Sequence, residues 1–168
     1  MSNKISELIN QRIRWVGRAA AMGTFAFGED VSSIIKSKEV ILPKYSLHIQ
    51  CSFRIRQGAH IIISNLDMFQ PKDSSTNYDE FDWDVFGNNL YDVCTEKLNQ
   101  IFAEGKITVI AVDTSETFDL KITLSNEYVI EVFVNAPKDS ETWRFFRRDS
   151  GECPHFVVER METVVGEL

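Results

Sequence analysis

The clearest pattern in the chain runs from Tyr45 to Arg56, where Tyr45, Leu47, Ile49, Cys51, Phe53 and Ile55 alternate with Ser46, His48, Gln50, Ser52, Arg54 and Arg56. A period of two puts the first set on one face of a β-strand and the second on the other. A strand of this length extends about 40 Å, long for a small domain, so the pattern predicts that it curves or carries a bulge. Gln57-Gly58 then offers a turn, and His60 to Leu66 reads as the returning strand of a hairpin.

A second hairpin follows the same logic. Phe118, Leu120, Ile122 and Leu124 alternate with Asp119, Lys121 and Thr123. Ser125-Asn126-Glu127 is a polar turn in which Asn126 best tolerates positive φ. Tyr128, Ile130, Val132 and Val134 form the next strand, with Ile107 to Val112 ahead of the pair as a third member of a meander. Shorter strands are expected at Ile13–Val16 and Thr24–Phe27, around Gly17 and Gly23, and a last one at His155–Glu159. One long helix is predicted: Leu90, Tyr91, Cys94, Leu98, Ile101 and Phe102 form a stripe at helical spacing. Asn88 or Asn89 caps its start, Asp92 suits the positive end of its dipole, and Gly105 suits a left-handed stop. Ile5, Leu8 and Ile9 suggest a short N-terminal helix.

Hairpins, a helix and further strands predict an α+β domain spanning residues 1–168. The expected architecture is a strongly curved, mainly antiparallel sheet with the long helix packed on it, with a partly closed barrel as the alternative.

Composition narrows the functional classes. With 168 residues, 43% of them hydrophobic, the chain can bury a core without a metal or disulfide staple. A net charge of -7 argues against general affinity for nucleic acid or an anionic membrane, and leaves room for a basic protein partner. Cys51, Cys94 and Cys153 show no CxxC spacing, which suggests reduced thiols and a cytoplasmic protein. Neither a signal peptide nor an apolar span is visible in the sequence.

No catalytic set emerges. His48 and Ser52 share the polar face of the long strand, but four strand positions separate them by about 13 Å, too far for proton transfer. Cys51 falls on the apolar face, where a thiol is packing material. His48, His60 and His155 lack metal-ligand spacing, and no cofactor is implied. The run Asp82-Trp83-Asp84-Val85-Phe86-Gly87 opens like a calcium loop but places Phe86 and Val93 where oxygen ligands belong. Neither GxGxxG nor a Walker-type sequence occurs.

Two charge clusters remain. Tyr78–Asp84 sets Asp79, Glu80, Asp82 and Asp84 beside Phe81 and Trp83. It reads either as a solvated loop whose rings cap the core or as a partner-binding edge anchored by Trp83. Glu141–Arg148 contributes Arg144, Arg147 and Arg148, which either pair with the acidic loop or form an anion-binding patch with Arg54 and His48.

Five segments together, WVGRAAAM, SLHIQCSFRI, DWDVFGNNLYD, ETWRFF and PHFVV, resemble a family of small bacterial single-domain proteins with no established function. Phe53 stands where that family more often carries Trp. The resemblance implies a bacterial, cytoplasmic, single-domain protein and assigns no catalytic residue. Three functional readings follow. The first is a non-enzymatic binding protein, immunity-like, acting through protein–protein contact. The second is a small enzyme or anionic-ligand binder using the Arg/His positions, and the third is a structural homo-oligomer.

Overall fold

The computed structural model describes residues 4–149, 155–159 and 162–166. Cys153 and Pro154 lie outside the described residues. Among these residues eleven strands and one α-helix follow in chain order: β1 (Ile13–Ala19), β2 (Met22–Ile35), β3 (Lys38–Ile49), β4 (Ser52–Gln57), β5 (His60–Ser64), α1 (Leu90–Gly105), β6 (Val109–Thr114), β7 (Leu120–Leu124), β8 (Tyr128–Phe133), β9 (Glu141–Arg147), β10 (His155–Glu159) and β11 (Glu162–Gly166). The α+β class is as the alternation predicts, and all strand pairs are antiparallel.

The expected single curved sheet or partly closed barrel is corrected. The strands form two sheets, in the order β1-β2-β3-β9-β10-β11 and β5-β4-β8-β7-β6, and neither is closed. The twelve-residue alternation does not form one bent strand. It breaks at Gln50-Cys51, where the chain leaves the first sheet as β3 and enters the second as β4. Tyr45, Leu47, Ile49, Cys51, Phe53 and Ile55 are nevertheless all buried, because both sheets turn their inner faces to one core. Phe25 of β2 meets Phe53 of β4 edge to face at 5.5 Å between centroids, and the Trp143 indole of β9 donates to the Phe118 carbonyl at 3.0 Å.

Other elements extend beyond the sequence expectation. Thr24–Phe27 is the start of a 14-residue strand, and Glu141–Arg147, expected only as a charge cluster, is an interior strand of the first sheet. Ile5–Leu8 forms a 3-10 turn. Asn126 takes φ of 58° at the β7–β8 turn, as its side chain allows. The left-handed stop after α1 falls on Lys106, one residue beyond the expected Gly105.

Helix α1 begins where Asn89 accepts the Asp92 N–H at 2.8 Å. Its buried residues are Tyr91, Asp92, Thr95, Leu98 and Phe102, whereas Ile101, expected on the stripe, is exposed. The helix lies along β1. Asn99 accepts the Val16 N–H at 2.7 Å and donates to the Val16 carbonyl at 2.8 Å, and the Tyr91 hydroxyl donates to the Gly17 carbonyl at 3.0 Å.

One part of the first sheet stands apart from the core. Among the described residues, β2 and β3 pair only with each other beyond the bulge between Phe27 and Asp30, from Asp30↔Pro43 to Ile35↔Lys38. This two-stranded arm turns through Lys36 and Ser37, both at positive φ.

Candidate functional site

Strand alternation places Arg18 on the same face of β1 as buried Val16, at the end of the sheet nearest the start of α1. A guanidinium there requires anions and carbonyls to replace its water. Its Nε donates to Asp92 Oδ1 at 2.7 Å and its Nη2 to Asp92 Oδ2 at 2.9 Å. Further bonds reach Asp84 Oδ1 at 3.0 Å, the Asp84 carbonyl at 3.2 Å, the Trp83 carbonyl at 3.3 Å and the Ala20 carbonyl at 3.2 Å. Asp92 also accepts the Gly87 N–H at 2.8 Å, from a glycine whose φ of 82° few other residues tolerate. Asn89 completes the anchor by donating to the Trp83 carbonyl at 2.8 Å. The Trp83 ring packs edge-on against Phe69 at 4.9 Å, with the Arg18 guanidinium 5.9 Å from its centre.

Arg18 therefore holds the inner side of the acidic loop, a role no sequence motif announces. Trp83, expected either to cap the core or to anchor a partner, is half-buried in this arrangement. The outer side differs. Asp79, Glu80 and Asp82 are exposed and make no ion pair among the described residues, while Asp84 pairs with Arg18. Tyr78 and Val85 are exposed, and Phe86 is 80% exposed. Beside Phe86, a groove of about 450 Å³ runs between β1 and α1, lined by Trp15, Gly17, Glu96, Asn99 and Gln100. The Trp15 ring lies so close over Gly17 that a Cβ there would meet it at 2.5 Å.

The arginine cluster engages other partners. Arg144 is held by Glu141, and Arg147 pairs with Asp149 and Glu7. Arg148 donates to the Pro43 carbonyl at 2.7 Å and sits 4.9 Å from the Phe146 ring centre. Arg54 belongs to the second sheet, where it and Arg56 bind Glu131 at 2.6 and 3.1 Å. Among the described residues the arginines of Glu141–Arg148 make no ion pair with the acidic loop. Arg18 takes that part.

His48, Arg144 and His155 do come together, because β3 and β10 flank β9 and the register sets His48 opposite Arg144 and His155 opposite Phe146. His155 stacks on Phe146 at 4.4 Å and His48 meets the same ring edge-on at 5.0 Å. Burial, reinforced by Arg144 and Arg148, pushes His48 down to about 4, and burial together with Arg144 lowers His155. His48 is thus a neutral imidazole at pH 7, set against a ring and a paired arginine. At Glu141 burial opposes the charge, but the hydrogen bonds and charge of Arg144 outweigh it and hold the carboxyl below its usual range.

Ser52 does not join His48. Its hydroxyl accepts from Asn135 at 2.9 Å in the second sheet. Burial pushes the Cys51 thiol up to about 12, leaving it protonated and unreactive. No group of three or more metal-ligating side chains occurs among the described residues, and no helix there is long and apolar enough to cross a membrane. In comparisons with protein-family models, curated proteins and solved structures, nothing matches this chain.

Proposed function

We propose that the protein is a non-enzymatic binding protein, immunity-like in kind, that recognises a basic protein through the outer side of the acidic loop. The observation that carries this reading is the loop's two-sidedness. Its inner side is fixed on Arg18, and its outer side presents Phe86, Tyr78 and the carboxylates of Asp79, Glu80 and Asp82, which make no ion pair among the described residues. An anchored loop loses little conformational freedom on binding, so more of the contact energy appears as affinity. Exposed acids steer a cationic partner, and an exposed aromatic at the centre supplies contact area.

The test is capture by a photoreactive residue at position 86, identification of the attached protein, and binding kinetics with that protein purified. Asp79→Asn/Glu80→Gln/Asp82→Asn should slow association and flatten its dependence on salt, because exposed charges are screened within about 8 Å at physiological ionic strength. Phe86→Ala should raise the dissociation rate. Unchanged rates in both variants at every salt concentration overturn the proposal.

The alternative, an anionic-ligand site, draws on His48, Arg144, Arg148 and His155 around Phe146. Glu141 already holds Arg144, which weakens that reading.

A further inference from the structure

Among the described residues five aromatic side chains are exposed: Trp15, Phe69, Tyr78, Phe86 and Phe133. Three of them already have a partner. Phe69 packs on Trp83, Tyr78 on Phe81 at 6.2 Å, and Phe133 lies 5.3 Å from the Arg54 guanidinium. Trp15 and Phe86 have neither a ring nor a cation against them among the described residues. Both line the groove of about 450 Å³ between β1 and α1. That volume is in the range of ligand sites, roughly 300–1,000 Å³.

Both rings are held in place. Gly17 lets the Trp15 ring lie against β1, and 41% of that side chain stays exposed. Phe86 precedes Gly87, whose N–H is bound by Asp92 at the start of α1. From the helix, Glu96 and Gln100 line the groove one turn apart on one face. Glu96 makes no ion pair among the described residues, and its neighbour Lys97 does not line the groove. Arg18 lines it as well, but its Nε and both Nη atoms are engaged by Asp92, Asp84 and backbone carbonyls. With Asp84, Asp92 and Glu96 set against one arginine, the groove is anionic.

These features fit a guanidinium, which is planar, weakly hydrated, stacks on aromatic faces and donates in a fork to a carboxylate. The chain pairs its own arginines this way. Arg54 lies over Phe133 while bonding Glu131 at 2.6 Å, and Arg18 sits 5.9 Å from the Trp83 ring centre while bonding Asp92. We propose that the groove receives an arginine side chain of the basic partner, its guanidinium against Trp15 and Phe86 and donating to Glu96 and the Gln100 side-chain carbonyl. The inference rests on the acidic loop being a protein-binding surface and names the residue that the partner inserts beside it. The loop acids steer the partner, and the groove holds its anchor, a part that arginine often plays at interfaces.

The test titrates acetyl-Gly-Arg-Gly-amide, and a citrulline counterpart that keeps the shape of arginine without its charge, into the isotopically labelled full chain, followed by NMR. The arginine peptide should shift the Trp15 indole N–H and the Gln100 side-chain amide saturably, and bind about tenfold or more tightly than the citrulline peptide. Glu96→Gln, at an exposed helix position, should remove most of that preference, and Trp15→Leu should weaken the arginine peptide about tenfold. Tyr78→Ala, outside the groove, should bind it as the wild type does. Thermal unfolding checks that each variant is folded. Equal binding of the two peptides, shifts confined to residues 78–84, or wild-type affinity in both Glu96→Gln and Trp15→Leu overturns the inference. If the loop variants slow association of a captured basic protein while Glu96→Gln and Trp15→Leu leave its kinetics unchanged, the groove inference fails and the binding-protein reading stands. If the arginine peptide binds as described and no protein is captured at position 86, the arginine site stands and the basic protein partner falls.

Discussion

Arg18 and Asp92 meet side on through two parallel hydrogen bonds of 2.7 and 2.9 Å, with 4% and 2% of their side chains exposed. This pair joins β1 to the first turn of α1, and through Asp84 and Trp83 it carries the acidic loop. Removing Arg18 leaves the buried Asp92 carboxylate without its ion pair, whereas removing Asp92 leaves Arg18 with Asp84 as its remaining anion. Arg18→Ala should cost about 3–5 kcal/mol in a denaturant titration, and Asp92→Ala less. Arg18→Lys should recover little, because an ammonium lacks the fork that matches a carboxylate. Limited proteolysis should cut the 70–89 segment faster in Arg18→Ala than elsewhere in that variant.

The inner faces of both sheets should respond as one core. Ile49→Ala in the first sheet and Leu120→Ala in the second should each cost about 2–5 kcal/mol, through lost burial and the cavity left behind. Ile34→Ala on the exposed arm should stay within about 0.5 kcal/mol. A value below about 1 kcal/mol at both core positions would contradict the shared core.

Gly23 lies directly beneath the Phe53 ring, and a Cβ there would sit 2.4 Å from the ring carbon Cζ. Gly23→Ala should therefore cost about 1–3 kcal/mol by overpacking between the sheets. Combining it with Phe53→Leu should cost less than the two changes summed, a coupling that a double-mutant cycle measures directly.

Stability should fall on mild acidification. Folding lowers His48 from 6.5 to about 4, so the unfolded chain takes up a proton first as pH drops. The stability linked to neutral His48 is complete above pH 6.5 and is lost between 6.5 and 4. His155 shifts in the same direction. Allowing for partial solvent exposure of the imidazole, the loss from His48 is roughly 1–2 kcal/mol. His48→Gln should flatten the curve of unfolding free energy against pH in this window. An unchanged slope would show that other groups carry it.

Much of the fold is legible in strict alternation. The buried residues Tyr45, Leu47, Ile49, Phe53, Ile55, Leu120, Ile122, Leu124, Tyr128, Ile130 and Val132 and the helical residues Leu98 and Phe102 follow from periodicity, whereas Val129 is buried on the other face of β8. The sheet switch at Gln50-Cys51 is not legible, because alternation continues unbroken through it and the partners on either side are distant in sequence. Strand β9 is obscured for another reason. Phe146 sits on the same face as Arg144 but is buried by contact with His48 and His155, so its apolar residues do not alternate cleanly. The acidic loop is visible as a cluster, yet its anchor is a lone arginine 74 positions from Asp92. The available signal is physical: an Arg two residues after a core Val in a strand needs an anion, and Asp92 beside the helix stripe is one.

Asn99 has a consequence beyond holding the helix in place. Its carboxamide presents Val16 with the same acceptor and donor that a neighbouring strand would offer. β1 is thereby sealed at Val16 against strand addition, although it stands last in its sheet. One side chain ends the growth of the sheet there and gives the molecule a direction: among the described residues, recruitment by edge pairing is blocked along this flank and not at the tip of the arm. Asn99→Leu should lose that distinction, so that slow fibrillar aggregation, followed by thioflavin fluorescence, begins from folded protein rather than from the unfolded chain.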